Sequence, residues 1–285
     1  MGLPIVQWLN HVSAILLISL LLLVSVLLKR NISYKWRYAI SLSSFAWGIS
    51  SFVLLIFKLA TIISGSVAQV LSNWNMVSSF IVQVRTGQML ALQIFIAFLI
   101  SILSQFINSR KGFLVLLILG ILNLLPPSLN GHSGSRNFHE VAILSWAVHI
   151  VSISIWVALV CGLSYLFLFK EPTRFDQTKL VSKISLFCFI GTVLSGFTNA
   201  ATRVNNIRTL AGSEYGRLLI LKIVIVSVVG VIATVYRFWM FQNLQQLETI
   251  FRRTLGIEIF LLSLAVMLGV LLSTTSLPVV RIVPN

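Results

Sequence analysis

Negative charge is almost missing from this chain. Only six of 285 residues are Asp or Glu, against 21 Lys or Arg, and charged residues of both signs make up 9%. Such a composition cannot cover a soluble surface. A formal net charge of +15 would point to nucleic acid in a soluble chain. No Lys/Arg-rich tract with interleaved aromatics occurs here, so nucleic acid is not an expected partner. Cysteine is nearly as scarce. Cys161 and Cys188 both fall in apolar segments and make neither a disulfide framework nor a CxxC pair. HExxH, an EF-hand loop, GxSxG and a P-loop are all missing, so no enzyme activity and no ATP-driven step is expected. The N-terminus, MGLPIVQWLNHVS, has no basic leader and no small-residue cleavage site after it, so the first helix is expected to be retained.

What the chain does have is apolar length, with 58% hydrophobic residues in long continuous runs. Only helices and closed barrels satisfy their backbone in lipid, and runs without alternation select helices. Eight segments near 11–28, 38–60, 88–106, 113–128, 141–169, 180–201, 217–238 and 254–276 approach the length of a crossing. The fourth is the shortest and stops at Pro126-Pro127, which lack the donors a helix needs. The expectation is an all-α fold, a polytopic transmembrane bundle of eight helices in one domain spanning 1–285. Its medium is the lipid bilayer. Thirteen basic residues fall in the odd-numbered loops, among them Lys29, Arg30, Arg110, Lys170 and Arg252, and six fall on the other side. The positive-inside rule then places both termini outside the cytoplasm.

Given that topology, all four histidines collect on the outer side. His11 opens the first helix, His132 and His139 lie in the loop before helix five, and His149 lies two turns into that helix. A histidine inside a membrane segment is a functional hypothesis by default, against the plainer reading of a ring satisfied by a neighbouring hydroxyl. With Met76 and Met89 on the same side, imidazole and thioether make a reasonable ligand set for copper, and sulfur favours the cuprous ion. Trp146, His149, Ile153, Trp156 and Val160 share a stripe at helical spacing. Glu140 can orient His139 or serve as a first-turn acid. Glu258 reads as an ion-pair partner of Arg253, and Lys222 as a snorkelling side chain. Asn199 and Arg203 can line the same vestibule. Cys161 and Cys188, counted from their common loop, fall at similar depths and are candidates for a cuprous relay below it, although small residues at helix contacts explain them as well.

Several stretches resemble the CopD copper resistance family. His149-Ile150-Val151-Ser152-Ile153-Ser154-Ile155-Trp156 is similar to its HLLAAAVW signature, and Gly131-His132-Ser133 to its GHA/GHS loop. Ser195-Gly196-Phe197-Thr198-Asn199-Ala200, with Tyr215-Gly216-Arg217-Leu218-Leu219-Ile220-Leu221-Lys222, resembles its SGxxNA…YGRLLLLK block. Glu258 stands where the last helix of the family carries a glutamate. The resemblance spans roughly residues 130–275, and the family's Gly-Gly after the tryptophan is Ala158-Leu159 here. It implies copper movement across a bacterial cytoplasmic membrane, inward, without an attached CopC-like domain. A separate extracytoplasmic CopC-like protein would then deliver the ion.

The expected metal residues are therefore His132, His149, His139 and His11, with copper as the ion. The alternative from another class is a haem-binding membrane redox protein with His11 and His149 as axial ligands. A conduit of two haems would need histidines at the inner side as well, and the sequence places none there.

Overall fold

The computed structural model of the protein describes residues 2–28, 32–126, 139–203, 212–240 and 248–275, without the side chains at 139, 203 and 236–240. Among these residues every regular element is a helix. In chain order they are α1 (Gly2–Leu22, extended by a π turn over Leu23–Leu27), α2 (Tyr34–Ile62), α3 (Val67–Leu71), α4 (Trp74–Gln83), α5 (Arg85–Phe106), α6 (Arg110–Leu122), α7 (His139–Leu168), α8 (Arg174–Arg203), α9 (Glu214–Met240) and α10 (Glu248–Thr274). Seven of them, α1, α2, α5 and α7 to α10, are long and apolar enough to cross a membrane. The protein is thus an all-helical, multi-pass membrane protein.

Local chemistry sets several starts. The side chains of Ser66, Asn73, Ser109 and Ser213 each accept from a backbone N–H three residues on, at 3.2, 3.3, 3.1 and 3.0 Å. Such caps satisfy donors that the first turn of a helix leaves bare. The helices reach beyond the apolar runs at most ends. α1 begins at Gly2 and α8 at Arg174, because polar residues next to an apolar run can continue its hydrogen-bond ladder into the interface. The short helices α3 and α4 were not anticipated. α4 is amphipathic, burying Val77 and Phe80 while Trp74 is exposed.

Side-chain pairs fix the directions. Asn10 donates to Ser50 and Ser51 at 3.2 and 2.7 Å, and Ser44 donates to the Ala97 carbonyl at 2.6 Å, so α1, α2 and α5 alternate. Ser19 donates to the Ala158 carbonyl at 3.2 Å, and a Cβ on Gly162 would lie 2.9 Å from Leu27, so α7 runs parallel to α1. His149 meets Thr192 and Ser195, which makes α8 antiparallel to α7. α6 starts beside the carbonyl of Leu28, to which Arg110 donates, and ends beside Gln93, which donates to the Asn123 carbonyl at 3.2 Å. At one end of the bundle Gln7 donates to Ser273 at 3.1 Å, joining the start of α1 to the finish of α10. At the other end Arg174 pairs with Glu248 at 3.4 Å, tying the starts of α8 and α10. These are called the Gln7 end and the Arg174 end.

Lipid tails are as apolar as leucine, so burial from water does not hold such helices together and close packing must. Trp47, Trp156, Phe113, Phe167 and Phe251 are the largest side chains sealed inside. Glycine lets backbones approach: a Cβ on Gly191 would sit 2.6 Å from the Ser152 hydroxyl. α7 and α8 are drawn together there, and that contact sets the position of the site described next.

Candidate metal centre

The site sits at the Gln7 end, where α1, α7, α9 and α10 surround a cavity of about 50 Å³. His11 and His149 both line it, together with Lys222, Gln7, Ser273 and Trp146. The meeting of the two histidines follows from helix register. His11 does not open α1, as the apolar run suggested, because α1 begins at Gly2 and places His11 nine residues inside. His149 stands ten residues inside α7, which runs parallel to α1. At about 1.5 Å per residue both lie some 15 Å from their helix starts.

His149 is buried at 7% exposure, and its ring is held from one side. Nδ1 lies 3.1 Å from the Thr192 carbonyl and 3.1 Å from the Ser195 hydroxyl. A carbonyl can only accept. The Ser195 hydroxyl donates to the carbonyls of Gly191 and Thr192 within its own helix, which leaves its lone pair for His149. Nδ1 therefore carries the proton and donates, and Nε2 is unprotonated and can accept. The Trp146 ring lies nearly parallel, 15° off with centroids 6.2 Å apart, and fixes the plane. Gly196 lies directly beneath the ring, where a Cβ would stand in ordinary contact 3.4 Å from the imidazole Cε1. A histidine with its Nδ1–H anchored to carbonyl and hydroxyl and its Nε2 facing a cavity is the usual preparation of a metal ligand.

What Nε2 faces is Lys222, whose Nζ lies 3.4 Å away and donates to it. The snorkelling expected of Lys222 is therefore not what the chain does. It turns toward the histidine, in the space left by Gly269, where a Cβ would lie 3.0 Å from Nζ. A second, larger cavity of about 280 Å³ opens on the other side of Lys222 between α8, α9 and α10, lined by Thr192, Asn199, Phe197 and Tyr215. The Thr192 hydroxyl and the Asn199 amide nitrogen are buried there without a hydrogen-bond partner. Asn199 was expected in a vestibule, and it lines this one.

Other expectations fare differently. His132 lies outside the described residues, as does the side chain of His139, although His139 is the first residue of α7. Met76 belongs to α4 and Met89 to α5, and neither lines the histidine cavity. Trp156 leaves the expected stripe and packs edge-on against Phe189, 5.4 Å between centroids. Glu258 is buried in the half of α10 toward the Arg174 end, at 1% exposure. Cys161 and Cys188 are not level. The contacts that pair Ser152 with Gly191 and Trp156 with Phe189 set Cys188 beside Trp156, five residues from Cys161, or roughly 7 Å along the axis. The equal depths counted from the loop assumed that helix six starts near 180, and α8 starts at Arg174. Among the described residues no three His, Cys, Asp or Glu side chains gather as a metal cluster. The haem alternative finds no support, since a space of about 50 Å³ leaves no room for a porphyrin between the two imidazoles.

Two family models match the chain. Residues 1–138 match the N-terminal domain of copper resistance protein D-like proteins, and residues 174–272 match copper resistance protein D. The chain belongs to the CopD family. The two matches carry His11 in the first part and Thr192, Ser195, Lys222 and Gly269 in the second, and His149 lies between them. The stretch around His149 that first suggested CopD is thus outside both matches, while residues 1–138, nearly all of them before the stretch that carried the resemblance, are matched. No curated protein and no solved structure matches the chain. Ser195 and Thr192 as anchors of the ring were not read from the sequence. The SGxxNA block that holds Ser195 was the available signal, since it places a hydroxyl one helix away from an intramembrane histidine.

Proposed function

We propose that this CopD protein takes up copper across the bacterial cytoplasmic membrane, and that His149 and His11 hold the ion on its way. One observation carries this reading: in a chain of a copper resistance family, Nε2 of His149 keeps its lone pair and faces a cavity shared with His11. His132 and His139 would capture the ion on the outer side before it reaches that cavity. A separate extracytoplasmic CopC-like protein hands over the ion. The protein moves its cargo without transforming it, and is not an enzyme.

The orientation belongs to the same proposal. The chain enters α6 beside Leu28 and enters α7 at the Gln7 end, so α6, with thirteen residues, is assigned as the remaining crossing. That brings the count to eight. The Arg174 end carries Arg110, Lys170, Arg174 and Arg252, so it would face the cytoplasm, and the Gln7 end, where α1 starts and α10 finishes, would face outward.

Copper content of the purified protein tests the site. Wild type should hold one copper that His149→Ala loses and His11→Ala weakens at least tenfold, with helical circular dichroism unchanged. Equal copper in all three proteins would contradict the site. A periplasmic reporter active after Lys179 would contradict the orientation.

A further inference from the structure

The histidine cavity is short of negative charge to an unusual degree. Among the described residues that line it only His11, His149 and Lys222 can ionise, and none offers a carboxylate, thiol or thioether. The nearest acids on the same helices are far along the axis. Glu140 precedes His149 by nine residues, Glu214 precedes Lys222 by eight, and Glu258 precedes Gly269 by eleven, each on the order of 12 Å or more. Positive charge is close instead: Lys222 lines the cavity with both histidines, its Nζ 3.4 Å from Nε2 of His149.

We infer that Lys222 makes this site selective for a monovalent ion, cuprous copper, by standing as a tethered cation where the ion must bind. The inference rests on the copper reading above and adds to it the charge state of the cargo. Nε2 has one lone pair. An ion bonded to it at about 2.0 Å takes that pair from the ammonium, whose Nζ now lies 3.4 Å away. The ammonium must move aside, and the larger cavity that Lys222 also lines provides the place. The Thr192 hydroxyl in that cavity, 3% exposed and without a partner, can accept from the displaced Nζ. Lys222 stays within a few ångströms of the ion in either position. Its repulsion grows in proportion to the charge of the ion and is weakly screened in a low-dielectric interior. A divalent ion meets twice the repulsion of a monovalent one and finds no carboxylate or thiolate to offset it. Ligand number points the same way. Zinc seeks four ligands and cupric copper a tetragonal set, whereas a closed-shell monovalent ion is content with two imidazoles.

The test titrates silver, a redox-inert stand-in for cuprous copper, and zinc into the detergent-purified full-length protein. Wild type, Lys222→Met, Lys222→Arg and His149→Ala are compared, and only the His149-dependent part of each isotherm is read. Wild type should bind silver and show no His149-dependent zinc. Lys222→Met, which keeps length and removes charge, should shift the zinc-to-silver affinity ratio toward zinc at least tenfold. Lys222→Arg should keep the wild-type preference. A wild-type ratio in Lys222→Met overturns the inference while the copper site stands. Silver binding that His149→Ala leaves intact overturns the copper reading itself.

Discussion

The first half of α7 and the turn after it carry Trp146, His149 and Ser154 along open space, whereas the last turns carry Ala158, Leu159, Val160, Leu163, Leu166 and Phe167, all at 0% exposure. One helix thus holds both regions. Toward the Gln7 end, hydroxyls, an amide, two imidazoles and an ammonium converge on cavities. Toward the Arg174 end, aliphatic side chains and Phe167, Phe175 and Phe251 interlock ring to ring, with centroids 5.7 and 4.8 Å apart. The boundary is Trp156, sealed at 1% exposure against Phe189. Polar groups in a membrane interior are costly and stay where they find partners or serve a ligand, while a sealed apolar core conducts no ion. The difference separates capture from passage. On the proposed copper reading the Gln7 end holds the ion, and an ion going further would require the helices around Trp156 to part.

Trp156→Ala breaks the comparison most strongly. It removes the largest buried side chain at the boundary and leaves a void that the packed neighbours cannot close. A loss of about 3 kcal/mol or more is expected, read as a lower unfolding midpoint in detergent. Silver affinity at His149 should remain, because Trp156 does not line that cavity. An unchanged midpoint would show that the inner half is not the rigid part.

Ser195→Ala sharpens the comparison with a smaller effect. The Nδ1–H of His149 keeps the Thr192 carbonyl and loses the hydroxyl. The cost is about 1 kcal/mol in ring orientation, or roughly a fivefold weaker metal affinity, measured by titration. The unfolding midpoint should move little. A large stability loss with unchanged affinity would make Ser195 a packing residue instead.

The fold was largely legible because its signal is strong: apolar runs of membrane length leave the backbone no other solution. Seven of the eight expected segments correspond to helices long enough to cross a membrane, and the fourth to the shorter α6. The ends were less legible, since a run of apolar residues marks the lipid-facing part and the hydrogen-bond ladder continues past it. That shift changed His11 from a terminal residue to a partner of His149. It also moved Cys161 and Cys188 off a common level. Lys222 was misjudged for a different reason. Whether a long side chain snorkels or turns inward depends on which neighbours leave it room, and the glycine that does so, Gly269, is 47 positions away in sequence. The anchoring of His149 by Ser195 and Thr192 likewise depends on helix rotation, which periodicity alone does not set.

The central claim, that two imidazoles and no sulfur hold the ion at one end of the bundle, is tested most directly by X-ray absorption at the copper edge of the cuprous-loaded protein. The account predicts two nitrogen scatterers at about 2.0 Å with imidazole multiple scattering, and a signal that His149→Ala removes. A sulfur shell at about 2.3 Å, lost in Cys161→Ser/Cys188→Ser, would contradict it and move the site to the Arg174 half of the bundle.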